Sequence, residues 1–238
     1  EWLGRDLDAL VAWDHPTIEA LAAYLASPSP LEDAGGALPR APRDRPLPLS
    51  FSQERLFRHA TLDGDGDRNG MVQRWIVGGD LDARAIERSL AEVVRRHDIL
   101  RTTFAMVDGE PRQIVHAGRT VPVEVLDLRR AADPAHAASE AIGQRWRPMR
   151  LDLGPLFWVL VVRVDDQEWH LVFFMHHLLY DGTSMRALYD ELEVFYAACR
   201  DGRELPELEP AVQIADYASW QRDRYRAGSD AHQALMGW

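Results

Sequence analysis

The sequence contains no lysine: all 27 of its basic residues are arginine, set against 38 acidic ones, for a formal net charge of −11. Such a chain has no surplus of cations from which to build the basic stripe that nucleic acid requires, so a nucleic-acid partner is not expected. The single cysteine, Cys199, excludes an internal disulfide framework and a cysteine-built zinc site. No run approaches the roughly 18 apolar residues of a membrane span, and no signal-peptide pattern opens the chain. Neither membrane nor export is therefore expected, and the cytoplasm is the default compartment. An initiating methionine is also missing, since Glu1 stands first, which leads us to expect a piece of a longer protein. What is present is 238 residues, 46% of them hydrophobic, enough for one large domain or two small ones with an ample core.

The most informative stretch is Leu171–Ser184, LVFFMHHLLYDGTS. Leu171 to Met175 form a continuous apolar run with the length and composition of a strand buried on both faces. Adjacent histidines, His176 and His177, end it. Neighbouring side chains of a strand point to opposite faces, so His177 shares a face with Met175 and Phe173 while His176 looks away. That geometry argues against a shared metal ion: one imidazole can face a cavity while the other sits in its wall. Asp181 and Gly182 come next. On their own they also read as a plain turn, with Asp181 serving the backbone.

Several punctuated segments surround this stretch. Ile18, Leu21, Ala22 and Leu25 recur at helical spacing after Pro16, in a segment too short to bury its apolar face alone. Residues 28–46 combine proline, glycine and mixed charge without apolar period, as a flexible linker does. Ser50 and Gln53 form a capping box that opens a helix through about Ala60. The loop at 61–70 places Asp63, Asp65 and Asp67 at a calcium-like spacing, but Arg74 stands where an EF-hand needs glutamate. A strand is expected over Met71–Val77, then a Gly78-Gly79 turn. Asp82 caps a helix carrying Ile86, Leu90, Val93 and Val94, and Asp108-Gly109 marks a hairpin. A further helix is expected between Val123 and Trp146. The runs Phe157–Val164 and Trp169–Met175 form an antiparallel hairpin that delivers the histidines at its end. Thr183 or Ser184 then caps a helix whose inner face is Met185, Leu188, Leu192, Phe195 and Cys199, closed by Gly202 and Pro206.

Two resemblances attach to these residues. The segment LGRDLDALVAWDHPTIEALAAYLA, through Trp13-Asp14-His15-Pro16-Thr17-Ile18 and its helix, resembles the closing part of an acyl or peptidyl carrier domain. Four later stretches resemble, in order, core motifs of the condensation domains of nonribosomal peptide synthetases. These are Ser50–Phe57, with Ser52 where alanine is usual; Arg96-His97-Asp98-Ile99-Leu100-Arg101-Thr102-Thr103-Phe104, with Asp98 where glutamate is usual; the His176-His177…Asp181-Gly182 stretch; and Ala215–Gln221. Arg147–Leu156 also resembles the family's segment before the central strands.

The resemblance implies an α/β fold, an α+β two-layer sandwich like one lobe of chloramphenicol acetyltransferase. It implies a carrier end at 1–27, a linker at 28–46, a first lobe at 47–205 and the start of a second lobe at 206–238. Family domains are about twice the length of the stretch from Leu47 to Trp238, and one lobe lines only half of their tunnel, so the chain alone is expected to be inactive. The implied reaction is attack of a carrier-bound amine on a carrier-bound donor thioester, forming an amide in a peptide or hybrid polyketide-peptide synthetase. His177 contacts the amine, His176 is structural, and Gly182 leaves room for a pantetheine arm or a backbone donor. Asp181 holds the motif in shape through a salt bridge to Arg96 or Arg101; Arg96 equally reads as surface cover. Ser184 either hydrogen-bonds the tetrahedral intermediate or caps the helix. No cofactor or metal is bound directly. Phosphopantetheine arms of upstream donor and downstream acceptor carrier domains bring the substrates, and the serine that bears the arm is not in this chain. Two other readings fit the motifs less well: a free-standing acyltransferase using coenzyme A or another thioester, and a carrier-docking module without catalysis.

Overall fold

The computed structural model describes residues 17–26, 38–62 and 69–229. The Trp13–Pro16 part of the carrier-like segment and the aspartates of the 61–70 loop lie outside them. The chain divides into two units at Pro39 and Arg40. In the first, α1 (Ile18–Ala26) is a nine-residue helix with none of its residues buried. Thr17 caps it, its Oγ1 accepting the Ala20 N–H at 3.1 Å.

The second unit is built on one strand pair. β6 (Phe157–Arg163) and β7 (Glu168–His176) run antiparallel, and burial is unbroken from Phe157 to Val162 and from Trp169 to His176. Their turn is closed by Asp165, whose carboxylate accepts the Gln167 N–H at 2.6 Å. β2 (Gly70–Gly78) joins β7 antiparallel, and β5 (Val123–Asp127) joins β6 parallel, giving the order β2-β7-β6-β5. A parallel neighbour needs a crossover, and α4 (Pro134–Arg145) lies within it.

Both faces of this sheet are covered, which is why its central strands read as continuous apolar runs. On one face lie α3 (Ala83–Arg96) and α5 (Gly182–Arg200), which pack on each other. Tyr189 of α5 meets Phe173 of β7 edge-on, with ring centroids 5.7 Å apart. On the other, Trp158 stacks on Phe174 at 5.2 Å and carries the Arg147 guanidinium 4.7 Å above its ring. Trp146 approaches the start of β2 so closely that a Cβ on Gly70 would lie 2.2 Å from its ring. A smaller sheet, ordered β1-β4-β3, is formed by β1 (Leu47–Pro48), β3 (Thr102–Val107) and β4 (Glu110–Val115). The hairpin turn between β3 and β4 has positive φ at both Asp108 (51°) and Gly109 (81°), as a two-residue turn matched to strand twist requires.

The local expectations hold for most elements. Ser50 and Gln53 make a reciprocal capping box at 3.1 and 3.2 Å at the start of α2 (Phe51–Leu62). Asp82 caps α3, accepting from the Arg84 and Ala85 N–H groups at 2.8 and 3.2 Å. Ile86, Leu90, Val93 and Val94 are buried. Cys199 is buried with the rest of the inner face of α5.

Two boundaries are corrected. The linker expected over 28–46 ends earlier, because its last part is fastened to the lobe. The Ala41 N–H donates to Asp216 at 2.8 Å, and Arg43 bridges Asp98 at 2.6 Å and Asp216 at 2.7 Å. Composition marks Arg43 as a solvated linker residue; only the fold brings two carboxylates to it. Likewise α6 (Ile214–Arg224), expected in a second lobe, packs on this one. Ala215 and Ala218 are buried, and Arg222 donates to the Leu49 carbonyl at 2.8 Å while pairing with Glu54.

Arg43 is mostly shielded and serves two carboxylates, so its removal leaves both short of a partner. Arg43→Ala is expected to lower stability in urea unfolding by about 3 kcal/mol. Arg95, exposed and, among the described residues, paired only with Glu92 one turn earlier on α3, is the control, and Arg95→Ala should leave the midpoint almost unchanged.

Candidate active site

β7 ends at His176, and the chain then turns into a short 3-10 helix, His177–Leu179, before Asp181 opens α5. The two histidines are thus separated by a change of backbone conformation, and not by the strand alternation that the sequence suggests. His176 is fully buried. Its Nδ1 faces the Leu178 N–H at 3.1 Å. A backbone N–H can only donate, so Nδ1 carries the lone pair and the ring proton sits on Nε2. Burial, and then the neighbouring His177, push the His176 pKa down to about 4, which keeps it neutral.

His177 has the opposite tautomer. Its Nδ1 lies 3.1 Å from the Tyr180 carbonyl, which can only accept, so Nδ1 bears a proton and in the neutral ring the lone pair lies on Nε2. The ring is exposed, stacked beside Tyr180 with centroids 5.4 Å apart, and its backbone N–H is tied to the Asn69 carbonyl at 2.8 Å. It lines a cleft of about 380 Å³. An imidazole held by Nδ1, with no partner on Nε2 among the described residues, can in its neutral form accept a proton from a substrate.

Asp181 is the N-cap of α5, the plain backbone role that the turn itself suggests. One carboxylate oxygen accepts both the Ser184 N–H at 2.7 Å and the Ser184 hydroxyl at 2.6 Å. Burial works against ionisation, but the bonds from the Ser184 hydroxyl and from the backbone N–H groups of Ser184 and Thr183 outweigh it and hold the carboxyl below its ordinary range. The cap is therefore Asp181, neither Thr183 nor Ser184, because only Asp181 precedes the first helical residue. Ser184 lies in the first turn with its hydroxyl proton already donated. A Cβ on Gly182 would meet nothing within 4 Å, so open space stands before the helix start.

The expected salt bridge from Asp181 to Arg96 or Arg101 is not formed. Arg96 donates through Nε to Glu191 of α5 at 2.9 Å and also reaches the Leu208 and Glu209 carbonyls. Arg101 pairs with Asp98 and reaches the His116 carbonyl at 3.3 Å. Both arginines brace carboxylates at the junction of α3 and β3, as their position suggests, but closer acids take them and Asp181 is committed to its helix.

The cleft gathers residues from four separated stretches. Ser52 and Gln53 come from the start of α2, His97 from the end of α3, His177, Asp181 and Ser184 from the histidine stretch, and Gln213 from the start of α6. His176 and Gly182 do not line it. Two members carry no mark in the sequence that would assign them to it. His97 stands inside a motif, flanked by the arginines that draw attention there; its Nε2 lies 2.7 Å from Glu191. Gln213 belongs to no motif; its amide accepts the Asp98 N–H at 2.9 Å and donates to the Arg96 and Ala211 carbonyls at 3.1 and 3.0 Å.

A histidine neutral when folded, with a pKa of about 4 against the ordinary 6.5, binds fewer protons than the unfolded chain between those values. Its contribution to stability is complete above pH 6.5 and is lost as pH falls towards 4, by up to about 3 kcal/mol. Urea unfolding at stepped pH should show this acid limb, flattened in His176→Asn. Asp181→Asn retains a capping oxygen and should stay within about 1 kcal/mol of the parent in the same assay.

Comparison with known proteins places the chain. The family model for the condensation domain matches residues 44–234. One of the linear gramicidin synthase subunits of Brevibacillus parabrevis is 36% identical over 241 residues, covering 99% of this chain and 3% of that protein. Among solved structures, the starter condensation domain of rhizomide synthetase superposes with a TM-score of 0.73 at 23% identity, covering 82% of this chain and 47% of that one. The first condensation domain of the calcium-dependent antibiotic synthetase, solved with a substrate analogue, gives 0.68 at 24% identity, covering 80% and 46%. The chain thus spans a small part of its curated relative and about half of each solved domain, and its fold is theirs. With a family model matching from Asp44 to Ala234, this chain belongs to the condensation-domain family.

Proposed function

We propose that the chain supplies the histidine-bearing half of a condensation site, in which a carrier-bound amine attacks a carrier-bound acyl thioester to form an amide. The observation that carries this reading is the tautomer of His177. With Nδ1–H held by the Tyr180 carbonyl, Nε2 offers a lone pair to the cleft. The amine nitrogen adds to the thioester carbonyl as its proton passes to Nε2. Collapse of the tetrahedral intermediate breaks the C–S bond, and the imidazolium returns the proton to the departing thiolate. An α-amine has a pKa near ~8, so part of it is already neutral at pH 7 and the base is needed only as the C–N bond forms.

The other residues support this geometry indirectly. His176, neutral and buried, anchors the turn that presents His177. Asp181 fixes the start of α5 through Ser184. Gly182 leaves the approach clear for a phosphopantetheine arm. The arms belong to the upstream donor and downstream acceptor carrier domains of a multidomain synthetase. Residues 1–27 fit the closing segment of such a carrier. The Thr17-capped helix, its place in a unit of its own and a relative that covers 99% of this chain favour that assignment.

The test uses the synthetase that contains this chain, with donor and acceptor loaded on their carriers. Intact-protein mass spectrometry should show the donor mass appear on the acceptor. His177→Ala, checked for folding by circular dichroism, is expected to slow transfer by about 100-fold or more, the range of a general base. A loss of only about tenfold would assign His177 to positioning the amine instead.

A further inference from the structure

We infer that the cleft beside His177 receives the side chain of the acceptor aminoacyl group, and that it selects an apolar side chain over an acidic one. The inference rests on the condensation reading and adds the substrate class to it.

The walls are apolar where they are deepest. Leu100, Met175, Met185 and Leu188 are buried, Leu56 and Ile214 are half-buried, and all six line the cleft. Its volume, about 380 Å³, lies in the range of small-molecule sites. Among the described residues no arginine lines it, and the chain has no lysine, so this lobe offers no cationic partner to a carboxylate that leaves water to enter it.

The polar groups that do line the cleft are largely committed to the protein. Ser50 and Gln53 are joined in their capping box. His97 is held by Glu191, and Gln213 spends both ends of its amide on backbone. Asp181 and Ser184 satisfy each other. The Asp181 carboxylate also sets the sign of the cleft: it suits an incoming α-ammonium and repels a second carboxylate. On this reading the acceptor's α-carbon is bonded to the amine that meets His177 Nε2, which brings its side chain beside the cleft that His177 lines.

The experiment titrates the synthetase with leucyl and aspartyl thioesters of N-acetylcysteamine by calorimetry, then lets the two compete as acceptors for one loaded donor. Leucyl should be preferred by about 100-fold or more in both measurements, since the aspartyl carboxylate finds no partner. Leu56→Arg, on the half-buried face of α2, should cut that preference at least tenfold. Val212→Arg at an exposed rim position of the cleft, where folding is least at risk, should shift it in the same direction. Equal use of both thioesters by the parent, or a ratio that neither arginine moves in folded protein, would overturn the inference. Selective binding of leucyl without amide product from any pair would leave the inference standing and sink the condensation reading.

Discussion

Removal of both faces of the β6–β7 strand pair from water is the constraint on which the rest of this lobe depends. The pair is buried from Phe157 to Val162 and from Trp169 to Met175, and apolar there but for His170, so each face needs its own cover. Tyr189 and the inner sides of α3 and α5 supply one, and Trp158, Arg147 and Trp146 help supply the other. Because β7 is locked between β2 and β6, its last residue is delivered to a defined point. His176 pairs in register with Gly70, and the Asn69 carbonyl takes the His177 N–H. The site's first histidine is thus the last residue of β7, and its second the first residue beyond that strand.

That boundary gives two chemically identical side chains different states. Desolvation makes protonation of His176 costly and leaves it a fixed acceptor for Leu178 N–H. One residue later, the backbone has left the strand, and the Tyr180 carbonyl selects the other tautomer. A main-chain carbonyl three residues on orients His177, with the ring of the same Tyr180 stacked beside it. The same economy holds at Asp181, which organises the start of α5 through the residue at the third helical position.

Around the site, paired charges hold together elements that are remote in sequence. Glu191 ties α5 to the end of α3 through Arg96 and His97, and Asp98 and Asp216 share Arg43. Gln213 adds two bonds at the same junction, to the Asp98 N–H and the Arg96 carbonyl. These contacts close one wall of the cleft and bring the 41–43 segment and α6 onto the lobe. They are shielded pairs with several hydrogen bonds each, the kind whose loss is felt.

Local chemistry makes much of this legible in advance. The capping box at Ser50, the cap at Asp82, the Asp108-Gly109 hairpin and the unbroken apolar runs are determined by neighbours within a few residues, and each stands where its spacing places it. Strand alternation alone anticipates different surroundings for His176 and His177, but His177 lies beyond the strand, in a 3-10 helix, and its setting comes from that turn. The destinations of Arg43, Arg96, Arg101 and Asp181 are not legible in the same way. The range of a guanidinium covers several carboxylates in a chain with 38 acidic residues, and sequence does not say which is nearest. Nor does it show that His97 and Gln213 face the same cleft as His177, since they come from elements far apart along the chain. The sequence by itself determined the strands and most of the caps, because these depend on spacing and side-chain type. Tertiary structure alone decided which charges pair, where the linker ends and which tautomer each histidine holds, because those depend on distances that only packing sets.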